Sequence, residues 1–243
     1  MGWALNEIVD LSSPEATERI LRLFRFAQLG RCVNSVTHDV NNYLGAILAY
    51  VELVGMESTL SAESRRMLRE VSGAVNKSSG LITSMTDIAR REKPDVRLVE
   101  PKDLIERVVS LRNFDVKFGR VQFQVEYAPG LGALSVDLPK MQLALLYLFS
   151  NALEALAIVE DRRLNIRVQS VEDDIEVAMH DSGPGVTPEE RDRIFLPFYT
   201  TKGVDHLGLG LPSARAILES HQGSLTYDPQ RGFLMRIPRE GIG

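Results

Sequence analysis

The chain has 243 residues, 44% hydrophobic and 25% charged, with a formal net charge of −5. These are the proportions of an ordinary folded protein of one large or two modest domains, not of a disordered chain. Lys+Arg 28 against Asp+Glu 33 leaves no basic excess, so neither nucleic acid nor an anionic membrane surface is the expected partner. A single cysteine, Cys32, excludes an internal disulfide framework and a cysteine-rich zinc site, and it suits a reducing compartment.

Targeting and membrane signals are missing from the pattern. The first 30 residues carry Glu7, Asp10, Glu15 and Glu18, which suits neither the basic start nor the apolar run of a secretory signal. The apolar stretch 44–56 is too short to span a bilayer, and the stretch 141–159 is interrupted by Gln142, Asn151 and Glu154. The expectation is a cytoplasmic chain with no membrane segment.

Residues 14–92 contain one proline, Pro14, and read as two long helices. In the first, Val33, Val36, Val40, Tyr43, Ile47 and Val54 recur at helical spacing. In the second, Leu68, Val71, Val75, Ser78, Ile82, Met85 and Ala89 alternate 3 and 4, a heptad seam. Ser61 is placed to cap the second helix, with Glu63 in its first turn. Two antiparallel helices cannot bury both apolar faces alone, so a homodimer closing a four-helix bundle is expected; the alternative is a monomeric hairpin packed on the second half of the chain.

The texture changes at Arg90-Arg-Glu-Lys-Pro-Asp95. The domains expected are 1–95, a dimerising helical hairpin, and 96–243, a second domain of mixed texture. In the latter, strands are predicted at 120–127, 164–169, 175–180, 224–227 and 233–237. Helices are predicted at 102–111, 139–157, 188–195 and 209–220. The order lacks regular βαβ alternation, so the expected class is α+β, one sheet covered by helices on one face.

Several polar clusters stand out against this frame. Asn151 and Glu154 sit three apart on an otherwise apolar helix, so they share a face, and an unpaired buried polar group would cost about 1–3 kcal/mol. His180-Asp-Ser-Gly-Pro-Gly185 ends a strand. Its Asp181 can accept from an exocyclic amine such as that of adenine, and Gly183 and Gly185 allow close approach of the backbone. Pro197-Phe-Tyr-Thr-Thr-Lys202 is followed by Gly208-Leu-Gly-Leu211 at a helix start, which suits an anion, with Lys202 as a mobile cation.

In this order, Asn151/Glu154, Asp181/Gly183/Gly185, Phe195/Phe198/Lys202 and Gly208/Gly210 resemble the N, G1, F and G2 boxes of the GHKL ATP-binding fold. The resemblance covers roughly residues 97–240. It implies an α/β-sandwich that binds ATP with Mg²⁺ held by Asn151. Adenine would be read by Asp181, a flexible lid would lie near 199–207, and Tyr199, Thr200, Thr201, Lys202, Gly208, Leu209 and Gly210 would contact the nucleotide. Upstream, Val36-Thr-His38-Asp39-Val-Asn41-Asn42-Tyr-Leu44 resembles the phospho-acceptor box of sensor histidine kinases. His38 lies about 200° around the helix from Val36, away from the predicted seam. Neutral imidazole is a nucleophile, Asp39 can orient the ring, and Asn42 follows one turn later.

The resemblance implies autophosphorylation of His38 and transfer to an aspartate of a response regulator receiver domain. It also implies that Asn42 positions a water for dephosphorylation of that partner. Three positions depart from the family pattern: Tyr43 in place of a proline, Tyr147 in place of an asparagine, and His206 in place of a glycine. Tyr147 and His206 motivate an alternative, a non-catalytic phosphotransfer or scaffold protein with a degenerate nucleotide site. A GHKL ATPase of the gyrase or chaperone type is a third reading, opposed by the hairpin. Of the other residues, Cys32 reads as a packing residue and Trp3 as a docking contact. His180 reads as structural, and His221 as a cation near a helix C-terminus.

Overall fold

A computed structural model describes residues 21, 37–90, 94–202 and 206–239. Trp3, Cys32, Val33 and Val36 lie outside the described residues, as do the side chains of Met85 and Ala89. The chain divides into two compact units, Met1–Arg90 and Arg91–Gly243.

The first unit contains helical residues 37–55 (α1) and α2 (Ala62–Arg90). With no proline at Tyr43, α1 runs through that position unbroken. Ser61 caps α2: its Oγ accepts from the Ser64 N–H at 3.0 Å, and Arg65 ties back to the carbonyls of Ser58 and Leu60. The Ser79 hydroxyl donates to Asn41 Oδ1 (3.2 Å) and the Thr86 hydroxyl to Thr37 Oγ1 (3.1 Å), so the helices run antiparallel.

The seam differs from the predicted one. On α1 the less exposed positions are Val40, Leu44, Leu48 and Val51, whereas Tyr43 (69%), Ile47 (43%) and Val54 (44%) are exposed. On α2, Leu68, Val75 and Ile82 turn inward as predicted, with Ser64 before them and Ser72 and Ser79 between them, while Val71 and Ser78 are exposed. The cause is that α1 carries two adjacent apolar stripes. A 3–4 spacing fits either, and only contact with α2 selects one.

The second unit is built on a five-stranded sheet in the order β2-β4-β5-β7-β6. Its strands are β2 (Gln122–Tyr127), β4 (Arg163–Val171), β5 (Asp174–Asp181), β6 (Ser224–Asp228) and β7 (Gly232–Pro238). β2 and β4 are parallel and the other pairs antiparallel. Alternation along β4 turns Leu164, Ile166 and Val168 inward and Arg163, Asn165 and Arg167 outward. The inward residues meet α3 (Pro101–Leu111), α5 (Leu138–Leu156) and α6 (Gly210–Ser220) in one core. Leu104, Leu145, Leu148, Phe149, Met235 and Ile237 are all buried there.

This is the expected α/β layer arrangement of a helix-covered sheet, with three differences. A two-stranded sheet of β1 (Val96–Val99) and β3 (Leu134–Asp137) was not foreseen, since each strand has four residues and its partner is far along the chain. α4 (Asn113–Phe118) also went unpredicted. The helix predicted at 188–195 is instead a run of turns. It starts well, with Glu190 Oε2 accepting from the Thr187 N–H at 3.0 Å. It then mixes bonds to the third and fourth residue, as in Arg193 N–H and Ile194 N–H to the Glu190 carbonyl. The Leu196-Pro197 step biases the chain out of helix before a regular turn can propagate.

His221 also departs from expectation. It does cap the C-terminus of α6, but it is buried and not a cation. Its Nε2 accepts the Asp137 N–H (3.1 Å) and its Nδ1 donates to the Ile217 carbonyl (2.7 Å). One accepting and one donating nitrogen define the neutral ring.

Candidate nucleotide site and phospho-acceptor

α5 has two faces. One carries Leu145, Leu148, Ala152 and Leu156 into the core. The other presents Tyr147, Asn151, Glu154 and Ala155, at helical spacing, to a cavity of about 1220 Å³. The far wall comes from the end of β5. Asp181 lies there, and Gly183 turns back so that its N–H donates to Asp181 Oδ1 at 2.9 Å. A Cβ on Gly183 would sit 2.6 Å from that oxygen and 2.8 Å from Ala155 Cβ, so only glycine lets the strand end approach α5 this closely. Burial pushes the Asp181 carboxyl above its ordinary range, against the pull of the Gly183 N–H, His180 and Lys202. Such a carboxyl is poised to accept a hydrogen bond from a ligand amine at little further desolvation.

The third wall is the loop after β5. Gly208 has φ +65, and a Cβ there would lie 2.4 Å from the Tyr199 carbonyl oxygen. Phe198 N–H donates to the Gly208 carbonyl (3.1 Å), and Thr200 Oγ1 accepts the Lys202 N–H (3.1 Å). The Arg193 guanidinium lies over the Tyr199 ring at 4.5 Å. α6 begins at Gly210, against Tyr147, whose hydroxyl bonds Ser213; burial, the larger influence, pushes the Tyr147 phenol up.

The predicted nucleotide-site residues converge. Asn151, Glu154, Asp181, Gly183, Gly185, Tyr199, Thr200, Thr201, Lys202, Gly208, Leu209 and Gly210 all line this one cavity. Phe198 is adjacent, and Phe195 packs against the core beneath. Sequence reasoning missed Tyr227, whose hydroxyl accepts the Val186 N–H (3.1 Å) and faces Gly185. It reaches the site from β6, 41 residues away, with no local signal.

Lys202 holds the centre of the polar wall. Its Nζ donates to Asn151 Oδ1 (2.7 Å), the Asn151 carbonyl (3.2 Å) and Glu154 Oε2 (2.8 Å). His206 Nδ1 lies 3.5 Å from the same Glu154 oxygen. Three hard oxygens converging on one ammonium form a donor set that suits Mg²⁺. Among the described residues, no group of three or more His, Cys, Asp or Glu could hold a metal ion alone. A divalent ion here would therefore complete its shell with phosphate and water oxygens.

In the first unit His38 is exposed, with Asp39 beside it (side chains 76% and 63%). Both neighbours address Nδ1: Asn42 Nδ2 donates to it at 3.2 Å, and Asp39 Oδ1 lies 3.6 Å away. The two favour opposite tautomers. An amide N–H at Nδ1 leaves the ring proton on Nε2, whereas a carboxylate at Nδ1 draws the proton there and leaves Nε2 with its lone pair.

Residues 136–240 match the model of the histidine kinase-, DNA gyrase B-, and HSP90-like ATPase family. The chain is 27% identical to the sensor protein FixL of Bradyrhizobium diazoefficiens over 219 residues, 87% of this chain and 43% of FixL. It spans about half or less of the curated relatives it matches. The solved catalytic domain of histidine kinase ThkA superposes with a TM-score of 0.53 at 27% identity, covering 60% of this chain and 98% of that one. A second ThkA structure, in complex with response regulator protein TrrA, shares the fold at 20% identity and TM-score 0.53, covering 95% of this chain and 68% of that one. Among the described residues, no helix is long and apolar enough to cross a membrane. The match of residues 136–240 to this ATPase family model and the similarity of the chain to sensor histidine kinases together support a histidine kinase catalytic core.

Proposed function

We propose that this chain moves the γ-phosphoryl group of ATP to His38 and then to an aspartate on a response regulator receiver domain. The observation that carries the nucleotide half is the convergence of Asn151, Glu154, Asp181, Lys202 and the Gly208–Gly210 turn on one cavity. Asp181 accepts from the adenine amino group. Lys202 and the N-terminus of α6 face the phosphates. Asn151 and Glu154 would hold Mg²⁺, which would supply charge neutralisation for the transferred phosphoryl group.

The acceptor half rests on the exposure of His38 and the grouping of Asp39 and Asn42 at Nδ1. When the Asn42 amide turns away, Asp39 closes on Nδ1 and draws the ring proton there, so the Nε2 lone pair forms the new bond to phosphorus. The bond from phosphorus to the β,γ-bridging oxygen breaks and ADP leaves. The Nδ1 proton passes to Asp39, and a phosphohistidine with an uncharged ring and an anionic phosphoryl group remains. On the reverse task, hydrolysis of the partner's phosphoaspartate, Asn42 positions the attacking water.

Two assembly statements belong to the same reading. Residues 1–95 act as the dimerising acceptor hairpin and 96–243 as the catalytic domain. A homodimer is supported by the exposed stripe Tyr43, Ile47, Tyr50 and Val54 on α1, which a second hairpin would cover. The partner is a protein, in keeping with the acidic balance of the chain, and the setting is cytoplasmic. The crystallised ThkA–TrrA pair supports a response regulator as that partner.

Calorimetry with ATP and Mg²⁺ tests the nucleotide half against the scaffold alternative that Tyr147 and His206 suggest. Saturable binding that Asp181→Ala abolishes supports the kinase; heat of dilution alone would favour the scaffold.

A further inference from the structure

Lys202 sits where the proposed cation belongs. Its ammonium takes Asn151 Oδ1 at 2.7 Å, Glu154 Oε2 at 2.8 Å and the Asn151 carbonyl at 3.2 Å, so it uses the oxygens a divalent ion would need. An ammonium and a divalent ion held by one carboxamide oxygen would stand only a few ångströms apart and repel one another through a partly dry site. Lys202 is about 29% exposed and sits on a loop, and Thr200 Oγ1 fixes its backbone N–H, so its long side chain can swing without moving its Cα. Glu154 keeps a second polar neighbour in His206, whose Nδ1 lies 3.5 Å from the same carboxylate oxygen.

We propose that Lys202 and a divalent cation exclude one another at Asn151 Oδ1. The lysine is the resident cation of that oxygen, and metal arriving with nucleotide displaces it. The freed ammonium is then available to phosphate oxygens, so metal loading and phosphate capture are one exchange. This rests on the proposed function only in taking a divalent ion as the ligand of Asn151.

The test is a titration of the whole chain with Mn²⁺ alone, read by the loss of the free-ion signal in electron paramagnetic resonance. Lys202→Met removes the charge and the donor at nearly constant length. It is expected to bind Mn²⁺ at least about tenfold more tightly than the wild type, within the usual range of site-to-site coupling of about 5- to 150-fold. Lys202→Arg, which keeps the cation, is expected to stay near the wild type. Circular dichroism confirms that each variant is folded, and Lys202→Ala provides a second neutral substitution.

Equal Mn²⁺ affinity of wild type and both neutral variants would overturn the exclusion. So would a gain that survives Asn151→Ala in the Lys202→Met background, since it would come from charge removed at a distance and not from a shared oxygen. The nucleotide reading fails separately: a Mn²⁺ gain without ATP binding leaves the exclusion standing, and ATP binding without the gain removes the exclusion alone.

Discussion

Gly208→Ala is the sharpest probe of how the loop walls the cavity. Two costs add. At φ +65 an alanine pays about 1–2 kcal/mol for the left-handed conformation. The new Cβ would also lie 2.4 Å from the Tyr199 carbonyl oxygen and 2.7 Å from the Phe198 carbonyl carbon. Both are backbone atoms, so the overlap is not relieved by a rotamer change, and overpacking of this kind costs about 1–3 kcal/mol. The observed loop conformation should therefore lose about 2–5 kcal/mol. Because loops open locally, the loss should appear mainly in ligand affinity and not in the melting of the sheet and α5 core. Nucleotide affinity, measured by displacement of a fluorescent ATP analogue, is expected to fall at least about 30-fold. Gly185→Ala serves as the control: it has a similar φ, +72, but its Cβ meets only the Tyr227 hydroxyl at 3.1 Å, which can shift. If both variants bind equally, close approach at Gly208 does not shape the site and the reasoning fails.

The Asp181→Asn substitution separates stability from function. Burial raises the Asp181 carboxyl in the folded state, so its stability contribution is greatest below the unfolded-chain value and is lost as pH rises through the raised one. At pH 7 the Asn variant is expected to melt at or above the wild-type temperature, with the gap closing below about pH 4, while nucleotide affinity falls at least about tenfold. A variant that melts lower at pH 7 and binds normally would contradict both parts. On α1, Tyr50→Lys with Val54→Lys places two charges on the exposed stripe, at residues that are 70% and 44% exposed in the single chain. Light scattering is expected to show a dimer becoming a monomer; an unchanged mass would show that this stripe is not the interface.

The sequence was legible where function demands a local pattern. Asn151 and Glu154 interrupt an apolar helix at i, i+3, Asp181 ends an apolar strand before a glycine turn, and paired glycines open α6. Each signal sits within a few residues, and the fold brings them to one cavity. The main sheet was legible for the same reason, since β4 alternates and β5 and β7 carry short apolar runs at 177–179 and 233–235.

What escaped depends on residues far apart in sequence. Tyr227 reaches the site across 41 residues, and His221 is made neutral by the N–H of Asp137 across 84. The α1 seam was misread because its two apolar stripes satisfy the same spacing, and the choice between them is made by α2. Buried Glu176 on β5 escaped too. Burial alone would raise its carboxyl, but Arg231, Gln169 and Arg236 hold it below the ordinary range, and two of these lie on or beside β7.

The central claim is that His38 takes phosphoryl from ATP. Incubation of the chain with γ-labelled ATP and Mg²⁺, followed by acid and base treatment, tests it most directly. The account predicts an acid-labile, base-stable label on the wild type and none on His38→Ala, with the variant still binding ATP. Equal acid-labile labelling of the two proteins would contradict it.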